Sequence, residues 1–384
     1  MNRRRPLLAL ALLAGLGLGA FALLSPESAA EPAERAAEAS SSPARAATAP
    51  LPRGSVADAP SVSAPTSASL PSFEPAPGLT GEQLLADVAA FGEAGRMADH
   101  GAWLWEAVRR LRAEPALCAE LAELALEEGA TTQLLALDLL GNAASPEAQE
   151  AAVSLLERTT HRRDARVYGR MVQSLLLTPA LEAETEAFLW REAEGGALAA
   201  VNVLGTEAGR ARERGEDSSA TVARLRRGLD ASADAPARRA HLVALGNSGD
   251  PAAREALLAH ADAESPSVRR AAARALRHLP EDPATRAALR ELAADTDPHV
   301  RRGAVEALLA QGMTADDRAA VTALARRGRL GLPASGELVR QASADRAFAR
   351  DAGPLLDAIV ADGTLPRALR RRARRAQRWA AFDG

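Results

Sequence analysis

The sequence predicts an all-α protein, a right-handed α-solenoid of stacked helix pairs preceded by a signal or anchor segment and a disordered linker. Three observations predict it. The stretch from Gly249 to Gly312 is one unit written twice, GDPAAREALLAHADAESPSVRRAAARALRHLP and then EDPATRAALRELAADTDPHVRRGAVEALLAQG. At an offset of 32, Asp250-Pro251 falls on Asp282-Pro283, Pro266 on Pro298 and Val268-Arg269-Arg270 on Val300-Arg301-Arg302. A period in this range marks a solenoid. Alanine and leucine dominate while only 3% of residues are aromatic, an inventory suited to close helix packing, and no strand-like alternation appears.

Taken in order, Arg3-Arg4-Arg5 precede an apolar run from Pro6 to Leu24, and Ser28-Ala29-Ala30 supply a small-residue cleavage site before Glu31. Residues 1–30 therefore read as a signal peptide. The run of about 19 residues also approaches the ~20 that span a bilayer, which makes an N-terminal anchor at residues 6–24 the other form of the same reading. Either way the bulk is expected outside the cytoplasm, periplasmic or secreted. No Cys follows the run, which argues against a lipoprotein anchor. Residues 31–78 are rich in Pro, Ala and Ser and cannot offset their ordering entropy by burial, so they are expected to form a disordered tether. The solenoid occupies residues 79–384.

Thr80 and Gln83 make a capping box that opens the first helix. Helices are expected at about 81–94, 99–112, 116–128, 130–141, 147–158 and 163–176, broken by Gly95, Pro115, Gly129, Gly141-Asn142 and Pro146. Trp103 and Trp105 cannot share a helix face, so one belongs to the core and the other to the surface. Leu140-Gly141-Asn142 before Pro146 recurs as Leu245-Gly246-Asn247 before Pro251, an offset of 105 or about three units. The Gly-Asn pair is expected to end a helix through a left-handed cap.

In the repeat, proline starts each helix and the second helix buries one stripe: Val268, Ala271, Ala272, Ala275, Leu276 and Leu279, then Val300, Gly303, Ala304, Ala307 and Leu308. After Thr314 the spacing becomes irregular, with helices expected at 315–326, 335–343, 353–361 and 366–380 as a terminal cap. The last of these carries Arg367, Arg370, Arg371, Arg372, Arg374, Arg375 and Arg378 around a thin apolar stripe.

This pattern resembles the HEAT repeat, which places an Asp six residues before an Arg of the second helix, as Asp295 and Arg301 stand here. Ala263 holds the Asp position before Arg269, so the Asp–Arg ladder that the resemblance implies is expected to break there. A second resemblance, over roughly residues 120–312, is to the helical domain of the vitellogenin and lipovitellin large lipid-transfer family. It rests on ALDLLGNAASPEAQEAAVSLLE, the AAVNVLGTEAG segment and ARRAHLVALGNSGDPAAREALL, and it implies a helical scaffold bracing lipid-enclosing sheets.

Chemistry finds little footing. The six histidines never form His-Glu or HExxH pairs, which matches neither a zincin nor a HEAT-fold di-iron hydroxylase. Asp295, Asp297 and His299 alternate like ligands but sit in a turn that wants Asp and Pro. Ser248 lacks the GxSxG setting of a nucleophile. Cys118, in LCAELAEL, reads as a small core residue. All 47 cations are Arg, yet the net charge of −3 gives no basic field for nucleic acid. No cofactor is expected. The sequence thus points to a non-enzymatic scaffold that binds a protein partner on its concave face, with a lipid-binding or lipid-transfer role as the alternative. Candidate binding residues are Arg269, Arg270, Arg301 and Arg302 on the repeat, and Arg371 and Arg374 on the last helix, where contact with an anionic membrane or lipid is the further option.

Overall fold

The protein, seen in a computed structural model, is described over residues 78–94 and 101–382. The expected signal or anchor and all of the linker but Gly78 lie outside these residues. Among the described residues every regular element is helical, and none of the helices is long and apolar enough to cross a membrane.

The chain enters through α1 (Gly81–Ala94), and the expected capping box is present: the Thr80 amide donates to Gln83 Oε1 at 3.0 Å and the Gln83 amide to Thr80 Oγ1 at 3.2 Å. Then come α2 (Gly101–Ala113), α3 (Ala116–Glu127), α4 (Ala130–Ala143), α5 (Pro146–Arg158) and α6 (Ala165–Gln173), the last continued by a 3-10 turn at Ser174–Leu177. Next are α7 (Ala183–Glu194), α8 (Leu198–Glu213), α9 (Ser219–Ala231) and α10 (Ala235–Ser248). The repeated segment supplies a 3-10 turn at Pro251–Ala253, α11 (Arg254–Leu258), α12 (Pro266–Leu276), α13 (Pro283–Leu292) and α14 (Pro298–Ala310). The C-terminal part holds α15 (Ala315–Arg326), α16 (Leu332–Ala344), the short α17 (Arg346–Asp351), α18 (Gly353–Ala361) and α19 (Arg367–Ala381).

The starts of these helices follow from side-chain chemistry. Asp234, Asp282 and Asp297 each accept one or two amides of the first turn, and a proline sits within the first two helical positions, where its missing N–H costs nothing. Thr314 and Asp317 close a second reciprocal box at the head of α15.

Antiparallel pairs stack in register. The second helices α8, α10, α12, α14 and α16 pack successively against one another, and α19 closes on α16. The first helices α11, α13, α15 and α18 stack behind them, as α3, α5 and α7 do at the other end. The apolar core forms an N-terminal and a C-terminal cluster, joined where Trp190 and Ala193 of α7 touch both. Of the two tryptophans near the start, Trp103 is buried and donates to Asp87 at 2.8 Å, while Trp105 is exposed.

The Leu-Gly-Asn tripeptides are a correction. Gly141 and Gly246 do not cap their helices; they lie inside them at points of close approach. A Cβ at Gly246 would come within 2.6 Å of the Ala275 backbone on the next second helix, and one at Gly205 would overlap the Ala244 backbone. The left-handed caps fall three residues after each of these glycines, at Ala144 (φ 60°) and Gly249 (φ 59°). A glycine near a helix end carries both meanings in sequence, and only the neighbouring unit decides which one applies.

Candidate interaction site

Arg269 and Arg301 are consumed by the fold. Arg269 Nε and Nη2 grip both carboxylate oxygens of Asp295 in the next unit at 2.7 and 3.0 Å, while its Nη1 donates to the Ala263 and Glu264 carbonyls. Arg301 repeats the inner half of this arrangement on the Asp295 and Thr296 carbonyls, both at 2.8 Å, and reaches forward to the Leu330 carbonyl. Arg238 makes the same six-residue step back, to the Ser232 carbonyl at 3.1 Å. At Ala263 the backbone half of the ladder persists, because the arginine binds the carbonyl oxygen there, while the Asp–Arg step is broken as expected. What Ala263 removes is a carboxylate able to receive an arginine from the preceding unit.

Arg270 and Arg302 do lie on the outward face of the second helices. Arg302 donates to Glu306 at 2.7 Å, and Glu306 also lies 3.4 Å from Arg274 on α12. Arg270 is exposed and makes no ion pair among the described residues. On α10 and α8 the same layer carries the half-buried Arg239 and a neutral contact in which the Asn247 side-chain amide donates to Asn202 Oδ1 at 2.9 Å and Thr206 Oγ1 at 3.3 Å. The second helices thus present a polar face on which Arg270 stands exposed beside an Arg–Glu–Arg cluster. Glu306 was not legible as part of it, because its acceptors' partners lie on two different helices.

Arg371 and Arg374 stand exposed on α19, which is separated from α14 and its arginines by the intervening helix α16. The signal for the second surface was present in the arginine spacing; Trp379, Phe382 and the neighbouring Arg346 were missed.

The side chains with catalytic types serve the fold. Asp297 caps α14 through the His299 and Val300 amides at 2.8 and 3.0 Å, and Asp295 is bound to Arg269. Ser248 is buried and donates to the Leu245 carbonyl at 2.7 Å. Among the described residues no three His, Cys, Asp or Glu side chains gather where a metal could be held. Cys118 is fully buried, and burial, aided by Glu147, pushes its thiol up to about 11.

Stacked helix pairs with capped turns, close inter-unit contacts and a side-chain ladder define a helical-repeat protein. The family model described as HEAT repeats matches residues 255–345, the segment that holds the Arg269 and Arg301 rungs. Residues 255–345 are thus similar to HEAT repeats, and the described helices on either side continue the same stacking of helix pairs. Among solved structures it is similar to human deoxyhypusine hydroxylase in complex with glycerol, at 19% identity over 72% of this chain and 96% of that one, with a TM-score of 0.26. Similarity at that level bears on neither mechanism nor partner. No curated protein sequence matches.

Proposed function

We propose that the chain is an exported, non-enzymatic scaffold whose second-helix face, the inner curve of such an array, binds a protein partner. HEAT repeats commonly mediate protein–protein contacts, and repeat arrays supply long surfaces for them. The observation that carries the reading is Arg270: an exposed cation on the layer of second helices with no carboxylate of its own, next to the paired Arg302 and Arg274. A charge placed this way gives a partner orientation and on-rate. Export rests on the N-terminal sequence alone, three Arg, an apolar run and a small-residue site.

Packing favours this reading over lipid transfer. The described residues form no sheet to enclose lipid, and the second helices meet backbone to backbone at Gly205 and Gly246, leaving no room between them for acyl chains. An affinity pulldown from a cell-envelope fraction tests the proposal. Arg270→Glu with Arg302→Glu should reduce the captured partner at least tenfold, whereas reversal at Arg371 and Arg374 should leave it. The opposite ranking would remove the second-helix face from consideration, and near-equimolar lipid in an organic extract of detergent-free protein would favour lipid transfer instead.

A further inference from the structure

Helix α19 turns two unlike faces to its surroundings. Ala373, Ala376 and Ala380 are buried, with Leu369 packed beside them, and fix it to the array. Away from them, Arg371, Arg374, Arg375 and Arg378 follow one another at spacings of three, one and three residues, so they share one side of the helix, and Trp379 and Phe382 continue it four residues after Arg375 and Arg378. All six are exposed, Trp379 by 42% and Phe382 by 73%.

This face lacks the neutralisation found elsewhere. Arg158, Arg191, Arg224 and Arg269 each pair with a carboxylate of a neighbouring helix or unit. Among the described residues no arginine of α19 has a carboxylate within ion-pair distance, and α19 itself contains no acidic residue. Two adjacent clefts sharing Arg375 and Arg378 mark the surface. One, of about 440 Å³, is lined by Arg346, Arg375, Arg378, Trp379 and Phe382; the other, of about 460 Å³, by Arg371, Arg374, Arg375, Gln377 and Arg378. In the first, Arg346 of α17 has Nε and one terminal nitrogen buried with no hydrogen-bond acceptor. Those two nitrogens lie beneath the surface, so what Arg346 offers the cleft is the rest of its side chain, beside Arg375 and Arg378.

We propose that this face is a docking surface for an anionic phospholipid bilayer. Guanidinium groups bind phosphate in a fork geometry and are only weakly hydrated, which suits them to a headgroup layer. The two aromatic side chains select the bilayer over an acidic protein: exposed Trp and Phe beside a basic helical stripe bury their rings at the boundary between headgroup and acyl chain, where an acidic peptide offers no apolar layer. This surface carries lipid outside the molecule, at its periphery, and is independent of the partner face around Arg270.

The test uses the full chain with vesicles of phosphatidylglycerol mixed into phosphatidylcholine, and with phosphatidylcholine alone. Two quantities are read: sedimentation with the vesicles, and tryptophan quenching by brominated lipid, taken as the part lost in Trp379→Phe. That difference reports on α19 even where residues 6–24 hold the chain on every vesicle. Expected are Trp379-dependent quenching that appears only with phosphatidylglycerol, a fall of at least tenfold when salt rises from about 0.05 to 0.5 M, and its loss in Arg371→Gln/Arg374→Gln/Arg375→Gln/Arg378→Gln, a variant confined to exposed positions. Trp379→Ala with Phe382→Ala should lose the preference for anionic over neutral vesicles in sedimentation while keeping the fold by circular dichroism. Equal quenching with neutral vesicles, no Trp379-dependent quenching, or quenching unaltered in the Arg→Gln variant would overturn the proposal. So would capture by the arginines of a polyglutamate peptide that displaces the vesicles at equal charge, which would make the occupant an acidic protein.

Discussion

Arg269 on one repeat unit and Asp295 on the next form a two-pronged ion pair, with both side chains largely buried and both carboxylate oxygens engaged at 2.7 and 3.0 Å. The arginine also closes its own turn through Ala263 and Glu264. One side chain therefore fixes the geometry within a unit and between two units.

Removing the carboxylate should be costly in a pH-dependent way. Burial alone would raise the Asp295 carboxyl, but Arg269 and the Asp297 amide outweigh it and hold it below the usual Asp range. Stability from a depressed carboxyl is present above the unfolded value of about 4 and lost as pH falls through the lower folded value. Asp295→Ala is expected to cost about 2–4 kcal/mol at pH 7, and the gap to the parent should narrow below about pH 4. Urea unfolding at pH 7 and pH 3 measures both; an equal gap at the two pH values would contradict the linkage.

A comparable loss is expected at Arg286. Asp317 is completely buried; its Oδ2 accepts from Arg286 at 2.7 Å and from the Thr314 amide at 3.0 Å. Arg286→Ala would leave the buried carboxylate with only Arg290, 3.5 Å away, and the Thr314 amide, and should cost about 3 kcal/mol. Arg371→Ala, exposed and unpaired, should stay within about 0.5 kcal/mol of the parent. Thermal denaturation ranks the two.

Glycine replacements should split by position. Gly205→Ala forces a methyl into the Ala244 backbone and should destabilise by about 1–3 kcal/mol or more. Gly336→Ala, within α16 and with nothing inside 4 Å of its added carbon, should stabilise by up to about 1 kcal/mol through helix propensity. Matching effects at the two sites would show that close approach is not what glycine serves at 205.

The thiol offers a folding reporter. Cys118 is buried with its pKa pushed up to about 11, so native protein should react with iodoacetamide at pH 8 far more slowly than urea-unfolded protein, by at least a hundredfold. Fast alkylation of the native state would show that α3 opens readily.

Much of the fold was legible in the sequence because threonine caps and an early proline mark helix starts independently of context: the expected 81–94, 315–326 and 353–361 match to the residue, and Thr80 with Gln83 behaves as a pair. The surfaces were less legible. Arg269 and Arg301 look, in sequence, like Arg270 and Arg302, and which of two adjacent arginines faces the turn depends on where Asp295 and Leu330 of the following units arrive. The Leu-Gly-Asn glycines were misread for the same reason, since the atom that forbids a side chain belongs to another helix.

Ala263 has a mechanical consequence. At the position where Asp295 receives Arg269, it offers no carboxylate to Arg238, and the charge contact crossing that joint is the solvent-facing Arg226–Glu255 pair at 4.0 Å, an interaction worth no more than about 1 kcal/mol. In a linear array the coupling between neighbours sets where it parts. Across that joint the array is held by packing, Gly246 against Ala275 within one continuous apolar core, where the next joint adds a two-pronged charge pair.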